Sequence, residues 1–379
     1  MQATLNGYCH DKFAGVRDAF ASNFADGSDL GASFAMTVDG EYVVDLWGGY
    51  LDEDKRQPWR QDTIVNVYST TKTMTALCAL VLADRGEIDL YAKVSKYWPE
   101  FAQNGKADVE VRHFMSHSAG LAGMNGPLVA ADMYDWEKMT SLLAAQAPWW
   151  KPGTQSGYHA ITQGYLIGEV VRRVTGSTLG TFFREEIAAP LDADFHIGLD
   201  PRHFDRVGNL IPPAGGNNPV TTGDTQSIAA RTFRCPPVNA LDSRTTAWRR
   251  AEIPAGNGHG NARSVVKVQS VVANGGTAFG KRILSEAGCA RVFDEQSNGP
   301  DLVLGTPMRF GMGYGLTSEL FPLGPNPRTC YWGGWGGSLV IVDTDARVCL
   351  SYVMNKMGEG TTGDMRGLGL AMAAFAALA

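Results

Sequence analysis

The sequence predicts an α+β fold. One antiparallel sheet is built from both chain termini and flanked by helices, and a mostly helical domain is inserted between its halves. Three observations predict it. Apolar segments of strand character bounded by turn residues occur near the start, at 31–38 and 42–46, and again near the end, at 328–332, 338–342 and 348–353. The stretch between them carries helical spacing and long loops. The chain has 379 residues, enough for two domains or for one large domain with an inserted lobe. The expected division is 1–68 with 265–379 for the sheet domain and 69–264 for the helical one. A site then falls in the cleft between them.

The elements follow in order. Phe13, Val16, Phe20 and Phe24 recur at helical spacing over 12–25. Asp39-Gly40 joins the first two strands as a hairpin turn, and Trp47-Gly48-Gly49-Tyr50 ends that hairpin. A helical pattern runs from 70 to about 84, where Arg85-Gly86 closes it. Further helices are expected at 135–146 and 160–175. Residues 200–260 hold Pro212-Pro213, Gly215-Gly216-Asn217-Asn218-Pro219 and Pro236-Pro237, and read as irregular loop, a lid or a wall. A helix near 264–274 ends at Asn274-Gly275-Gly276. Asp343-Thr344-Asp345-Ala346 joins the last two strands, and a helix over 362–378 closes the chain.

Composition excludes several function classes. Hydrophobic residues make up 44% and charged residues 19%, ordinary globular values. Lys plus Arg total 33 against 39 Asp plus Glu, a net charge of -6 with no basic run, which argues against a nucleic-acid partner. The six cysteines are scattered without a C-x-x-C pair, so zinc and thioredoxin-like chemistry are not expected. The apolar stretches at 74–83 and 368–379 fall short of the roughly 20 residues of a membrane span. No basic segment followed by an apolar run opens the chain, so a soluble, cytoplasmic protein is expected. No cofactor or metal is implied, and oligomeric state is not legible. H-E-x-x-H, P-loop, dinucleotide and G-x-S-x-G signatures are all absent.

Ser69-Thr70-Thr71-Lys72 matches S-x-x-K, a serine-nucleophile motif. A second match, Ser264-Val265-Val266-Lys267, follows Asn261 and reads as a hydroxyl at a helix start. Ser69 stands where the extended segment 64–68 turns into a helix, and Lys72 lies three residues on, on the same face. A serine hydroxyl needs a neighbouring base. That base can be the lysine, if burial lowers its pKa, and a nearby tyrosine can share the role. Tyr158, after the Pro152-Gly153 turn and before the helix at 160, is the candidate. Trp332-Gly333-Gly334-Trp335-Gly336-Gly337-Ser338 supplies a strand whose glycines allow close approach to the backbone.

Together, in order and spacing, these segments resemble the serine β-lactamase and penicillin-binding-protein superfamily, and within it class C β-lactamases and family VIII carboxylesterases. The resemblance covers nearly the whole chain. It includes 46–50, Ser69–Lys72, Phe114-Met115-Ser116-His117-Ser118-Ala119-Gly120-Leu121, Tyr158 with His159, 311–316 and 332–338. It implies a serine hydrolase with Ser69 as nucleophile and with Lys72 and Tyr158 sharing the base, Tyr158 being the main proton carrier. The backbone N–H groups of Ser69 and Trp335 then form the oxyanion hole, and Trp332, Gly333 and Gly334 form the substrate edge. Two departures select the branch. The last substrate strand lacks K-T-G and reads Trp332-Gly333-Gly334, and Y-x-N reads Tyr158-His159-Ala160. Both favour a small neutral ester over an anionic β-lactam. Acyl transfer, weak β-lactam hydrolysis and a silent binding scaffold remain alternatives. His117 and His159 read mainly as structural, Trp149-Trp150 and Tyr134-Asp135-Trp136 as candidate pocket walls, and 52–56 as a solvated loop.

Overall fold

The structure, a computed structural model, describes residues 4–219 and 224–379. Residues 1–3, which enter the reading of the chain start, and 220–223, inside the expected loop, lie outside the described residues. In chain order the strands are β1 (Leu5–Cys9), β2 (Gly31–Val38), β3 (Glu41–Gly49), β4 (Val65–Asn66), β5 (His259–Gly260), β6 (Thr277–Ala278), β7 (Lys281–Arg282), β8 (Ser297–Pro300), β9 (Pro307–Phe310), β10 (Gly315–Leu316), β11 (Thr329–Gly333), β12 (Leu339–Asp343) and β13 (Val348–Met354). Among the described residues a nine-stranded antiparallel sheet runs β1-β3-β2-β13-β12-β11-β10-β9-β8, so strands from the two ends of the chain meet at the β2–β13 pair. The fold class is the expected one.

Asp39 and Gly40 both adopt positive φ, 51° and 82°, which suits the tight turn between β2 and β3. Strand alternation then sorts the sheet faces. Thr37 of β2 sends its hydroxyl to Ser270 on the helix Ala262–Ala273, 2.8 Å away. Tyr352 of β13, an odd number of positions from Thr37's partner Cys349, packs on Gly367 of the C-terminal helix Met365–Leu378. One face is therefore covered by Ala262–Ala273, the other by Met365–Leu378 together with Ala14–Ala25, which packs against it.

β1, β8 and β9 of the large sheet and the two-residue strands β5, β6 and β7 fall outside the sequence expectation, whereas β10 lies in the expected 311–316 segment. β1 is mostly exposed and contains Gly7 at φ 106°, so it shows no apolar alternation; it pairs along β3 from Leu5↔Gly48 to Cys9↔Val44. β8 and β9 carry Pro and Gly and lie at the far edge, where such residues are tolerated. β10 has only two residues.

The helix Thr71–Asp84 is buried on all sides through Leu82, which explains an apolar run too long for one amphipathic face. The helices expected at 135–146 and 160–175 form as Trp136–Ala145 and Thr162–Thr175. The described part of 200–260 holds more regular structure than expected: helices Ile228–Arg234 and Thr246–Arg250 interrupt it, capped by Ser227 and Thr245. Among the described residues no helix is long and apolar enough to cross a membrane, and no group of three or more His, Cys, Asp or Glu could hold a metal ion.

Candidate active site

The turn that carries Ser69 has a strained backbone. Tyr68 adopts φ 42°, unusual for a bulky side chain, and this reverses the chain between β4 and the helix Thr71–Asp84. Ser69 therefore stands at the start of the helix and keeps 8% exposure. Lys72, three residues on, is 2% exposed and places Nζ 3.0 Å from Ser69 Oγ. The second S-x-x-K match serves a cap. Ser264 N–H donates to Asn261 Oδ1 at 2.9 Å, while Lys267 reaches Asp192 at the surface.

Lys72 has no carboxylate partner among the described residues. Nζ meets the carbonyls of Ala160 at 2.7 Å and Ala255 at 2.8 Å and lies over the Tyr158 ring, 4.8 Å from its centroid. Burial alone holds its pKa well below the usual lysine value. Tyr158 OH donates to Ser69 Oγ at 2.5 Å, and burial raises the phenol's pKa above its usual value. The Ser69 hydroxyl pulls the other way, as does the Trp332 indole N–H, which meets no acceptor at full hydrogen-bond geometry. The three Nζ contacts are the two carbonyls and Ser69 Oγ, and Ser69 Oγ accepts from both Lys72 Nζ and Tyr158 OH.

Tyr158 is held by its backbone. Its N–H donates to Asp301 Oδ1 at 3.0 Å. On either side, Gly157 N–H donates to His117 O at 2.9 Å and His159 N–H to His117 Nδ1 at 3.0 Å. His117 is itself left-handed at φ 58° and buried. His159 Nε2 accepts from Leu121 N–H, so Nδ1–H donates to Gly157 O at 2.6 Å. Burial depresses the His159 pKa to about 3, and its ring stays neutral. Both histidines build the loop that presents Tyr158.

The strand β11 ends against the Ser69 turn because Gly334 has no side chain. A Cβ there would stand 2.2 Å from Val67 O and 3.2 Å from Ser69 N. This close approach brings Ser69 and Trp335 to the same wall, and among the described residues neither backbone N–H donates to a backbone carbonyl. Gly333 faces the opposite way, toward Thr362 O.

Trp332 differs from expectation. Its side chain is 2% exposed and packs on His117, Tyr158 and Phe310 with ring centroids 5.7, 5.4 and 5.5 Å away. The aromatic wall of the pocket is made by Trp335 and Tyr68, whose rings meet at 5.0 Å. Beside Ser69 a narrow slot of about 40 Å³ is closed by Ile161, Phe233, Pro236 and Val238. Its described lining residues carry no charged side chain. Phe233, Pro236 and Val238 come from the stretch expected as loop, which here forms a wall. Trp150 supports the site from behind, against Gly157, while Trp136 turns away to donate to Glu169. Sequence reasoning missed Asp301, whose contact with Tyr158 spans 143 positions and leaves no local signal.

Known proteins share this fold. The profile of the Beta-lactamase family matches residues 17–374. The esterase/beta-lactamase LipL of Mycobacterium tuberculosis (strain ATCC 25618 / H37Rv) is 37% identical over 363 residues, 93% of this chain and 83% of that protein. A crystal structure of a family VIII carboxylesterase superposes with TM-score 0.92 at 44% identity, covering 99% of this chain and 100% of its own. A penicillin-binding-protein homologue from Caulobacter crescentus superposes with TM-score 0.92 at 39% identity, over 99% of this chain and 100% of its own.

Proposed function

The chain belongs to the beta-lactamase family, and on that premise we propose that it is a serine carboxylesterase cleaving short, neutral esters through an acyl-enzyme on Ser69. The observation that carries this reading is the shared contact of Lys72 Nζ and Tyr158 OH with Ser69 Oγ, beside a slot whose described lining is uncharged. The esterase relatives support the ester class.

In the first step Ser69 Oγ attacks the ester carbonyl carbon and its proton passes to neutral Lys72. Burial favours this direction, because it lowers the amine's pKa and raises the phenol's. It reverses the weighting expected from sequence, where Tyr158 is the main proton carrier. The oxyanion is held by the N–H groups of Ser69 and Trp335. When the tetrahedral intermediate collapses, the alkoxide leaves and takes the Tyr158 proton, which the Lys72 ammonium replaces. Water then attacks the acyl-enzyme by the same path, giving up one proton to the Lys72–Tyr158 pair and returning one to Ser69 Oγ. Trp332 backs the Tyr158 ring, and Gly334 with Trp335 forms the substrate edge.

β-Lactam hydrolysis is the second reading, favoured by the likeness to the esterase/beta-lactamase LipL. Initial rates on p-nitrophenyl butyrate and nitrocefin, for wild type and Ser69→Ala, separate the two. Ester turnover dominates and both activities vanish in the variant if the proposal holds. Nitrocefin turnover matching the ester rate puts the β-lactamase reading first.

A further inference from the structure

The two proposed oxyanion donors come from distant parts of the chain, and one hydroxyl joins them. Ser338 is 1% exposed. Its Oγ donates to Val67 O at 2.8 Å. A carbonyl can only accept, so the single Ser338 proton is committed there. The 2.9 Å contact between Ser338 Oγ and Thr70 Oγ1 therefore has Thr70 as donor. Val67 and Thr70 bracket Ser69 in sequence. On its other side Ser338 holds the turn that carries Trp335: Gly334 N–H donates to Ser338 O at 2.8 Å, and Gly337 N–H to Gly334 O at 3.1 Å. Gly336 and Gly337 adopt φ 95° and 131°. The far side of the turn is tied to 358–366, where Gly336 N–H donates to Gly360 O at 2.8 Å and Gly336 O accepts from Gly358 N–H at 2.7 Å and from Arg366 at 2.8 Å, so the Ser338 hydroxyl fixes the side that faces the Ser69 segment. Among the described residues, the two Ser338 hydroxyl contacts are the hydrogen bonds that link 67–70 to 329–338.

We infer that Ser338 is a positioning residue whose hydroxyl sets the relative placement of the Ser69 and Trp335 N–H groups. The inference rests on the esterase reading above. An oxyanion donor acts only within a narrow distance of the developing charge, about 2.7–3.1 Å. A shift of the Trp335 turn by a fraction of an ångström thus weakens transition-state binding. Ground-state binding in the apolar slot is left nearly intact, because apolar contacts are not directional.

The test uses the full chain with Ser338→Ala and Thr70→Val. Kinetics on p-nitrophenyl butyrate are measured beside inhibition by butylboronic acid, which forms a tetrahedral adduct on the nucleophile. Ser338→Ala is expected to lose about 10- to 100-fold in kcat, short of the full loss of one donor, with KM within about threefold. Boronate affinity falls in parallel with kcat/KM. Thr70→Val, which keeps the Ser338–Val67 bond, loses about 3- to 10-fold in kcat. A folded Ser338→Ala variant with wild-type kcat overturns the inference. So does a lowered kcat with unchanged boronate affinity. If Ser338→Ala does not fold, Thr70→Val decides, and wild-type kcat in it overturns the inference. A wild-type enzyme without ester turnover, or an active Ser69→Ala variant, instead overturns the esterase reading, whatever Ser338 does.

Discussion

Replacing Lys72 by Arg tests the proposed base most severely, because it keeps a long cationic side chain and removes only the ability to become neutral. Nζ sits 3.0 Å from Ser69 Oγ and contacts two carbonyls at 2.7 and 2.8 Å. Burial lowers its pKa, which favours the free amine that a general base requires. A guanidinium stays protonated at every accessible pH and offers no lone pair. General-base catalysis contributes about 10²–10⁴ in rate, or about 2.7–5.4 kcal/mol at 1.36 kcal/mol per decade. Lys72→Arg is therefore expected to lose at least about 10² in kcat/KM on p-nitrophenyl butyrate. The pH profile carries the sign. In wild type, activity rises with pH through the lowered Lys72 pKa, since only the neutral amine accepts the proton. It falls again only above the usual tyrosine range, since burial raises Tyr158 and its proton is needed by the leaving group. The variant loses the acidic limb. Circular dichroism and a thermal melt establish that it is folded. A folded Lys72→Arg variant with more than about a tenth of wild-type activity and an unchanged profile refutes lysine as the base.

Three further outcomes follow from the same geometry. Tyr158→Phe keeps the ring against Trp332 and loses the proton path, so kcat falls by about 10²–10³ with KM nearly constant in steady-state kinetics. Gly334→Ala puts a methyl 2.2 Å from Val67 O and 2.4 Å from Ser338 Oγ, forcing β11 away from the nucleophile turn. Ester activity is expected to drop by at least about 10², with a lower melting temperature. Phe233→Ala opens the slot, and the preferred ester in a p-nitrophenyl chain-length series shifts to longer acyl groups.

Legibility followed the range of the signal. The hairpin at Asp39-Gly40 and the helix Thr71–Asp84 are local, and turn chemistry with apolar spacing placed both within a residue or two. β1 was invisible because an exposed edge strand with Gly7 needs no apolar face. The helix Ile228–Arg234 had a usable start signal in Ser227, whose side chain accepts from Ala230 N–H, but the surrounding Pro and Gly outweighed it. In the site, Ser69 and Lys72 share one helical turn and Tyr158 follows a recognisable loop, so motif reasoning could bring them together. The support for Tyr158 from Asp301 and the link from Ser338 to Val67 span 143 and 271 positions. Such contacts are written in the packing, and no local pattern carries them. The misplaced role of Trp332 has a similar origin. Its burial behind Tyr158 depends on rings from His117 and Phe310 that sequence spacing does not locate.

The central claim is a covalent acyl group on Ser69, and its most direct test is acid-quenched turnover of p-nitrophenyl butyrate followed by peptide mass spectrometry. A butyryl group on the peptide containing Ser69, formed within the first turnover and absent in Ser69→Ala, is the predicted result. Full ester turnover with no acyl group on Ser69, or with an acyl group on another residue that persists in Ser69→Ala, contradicts it.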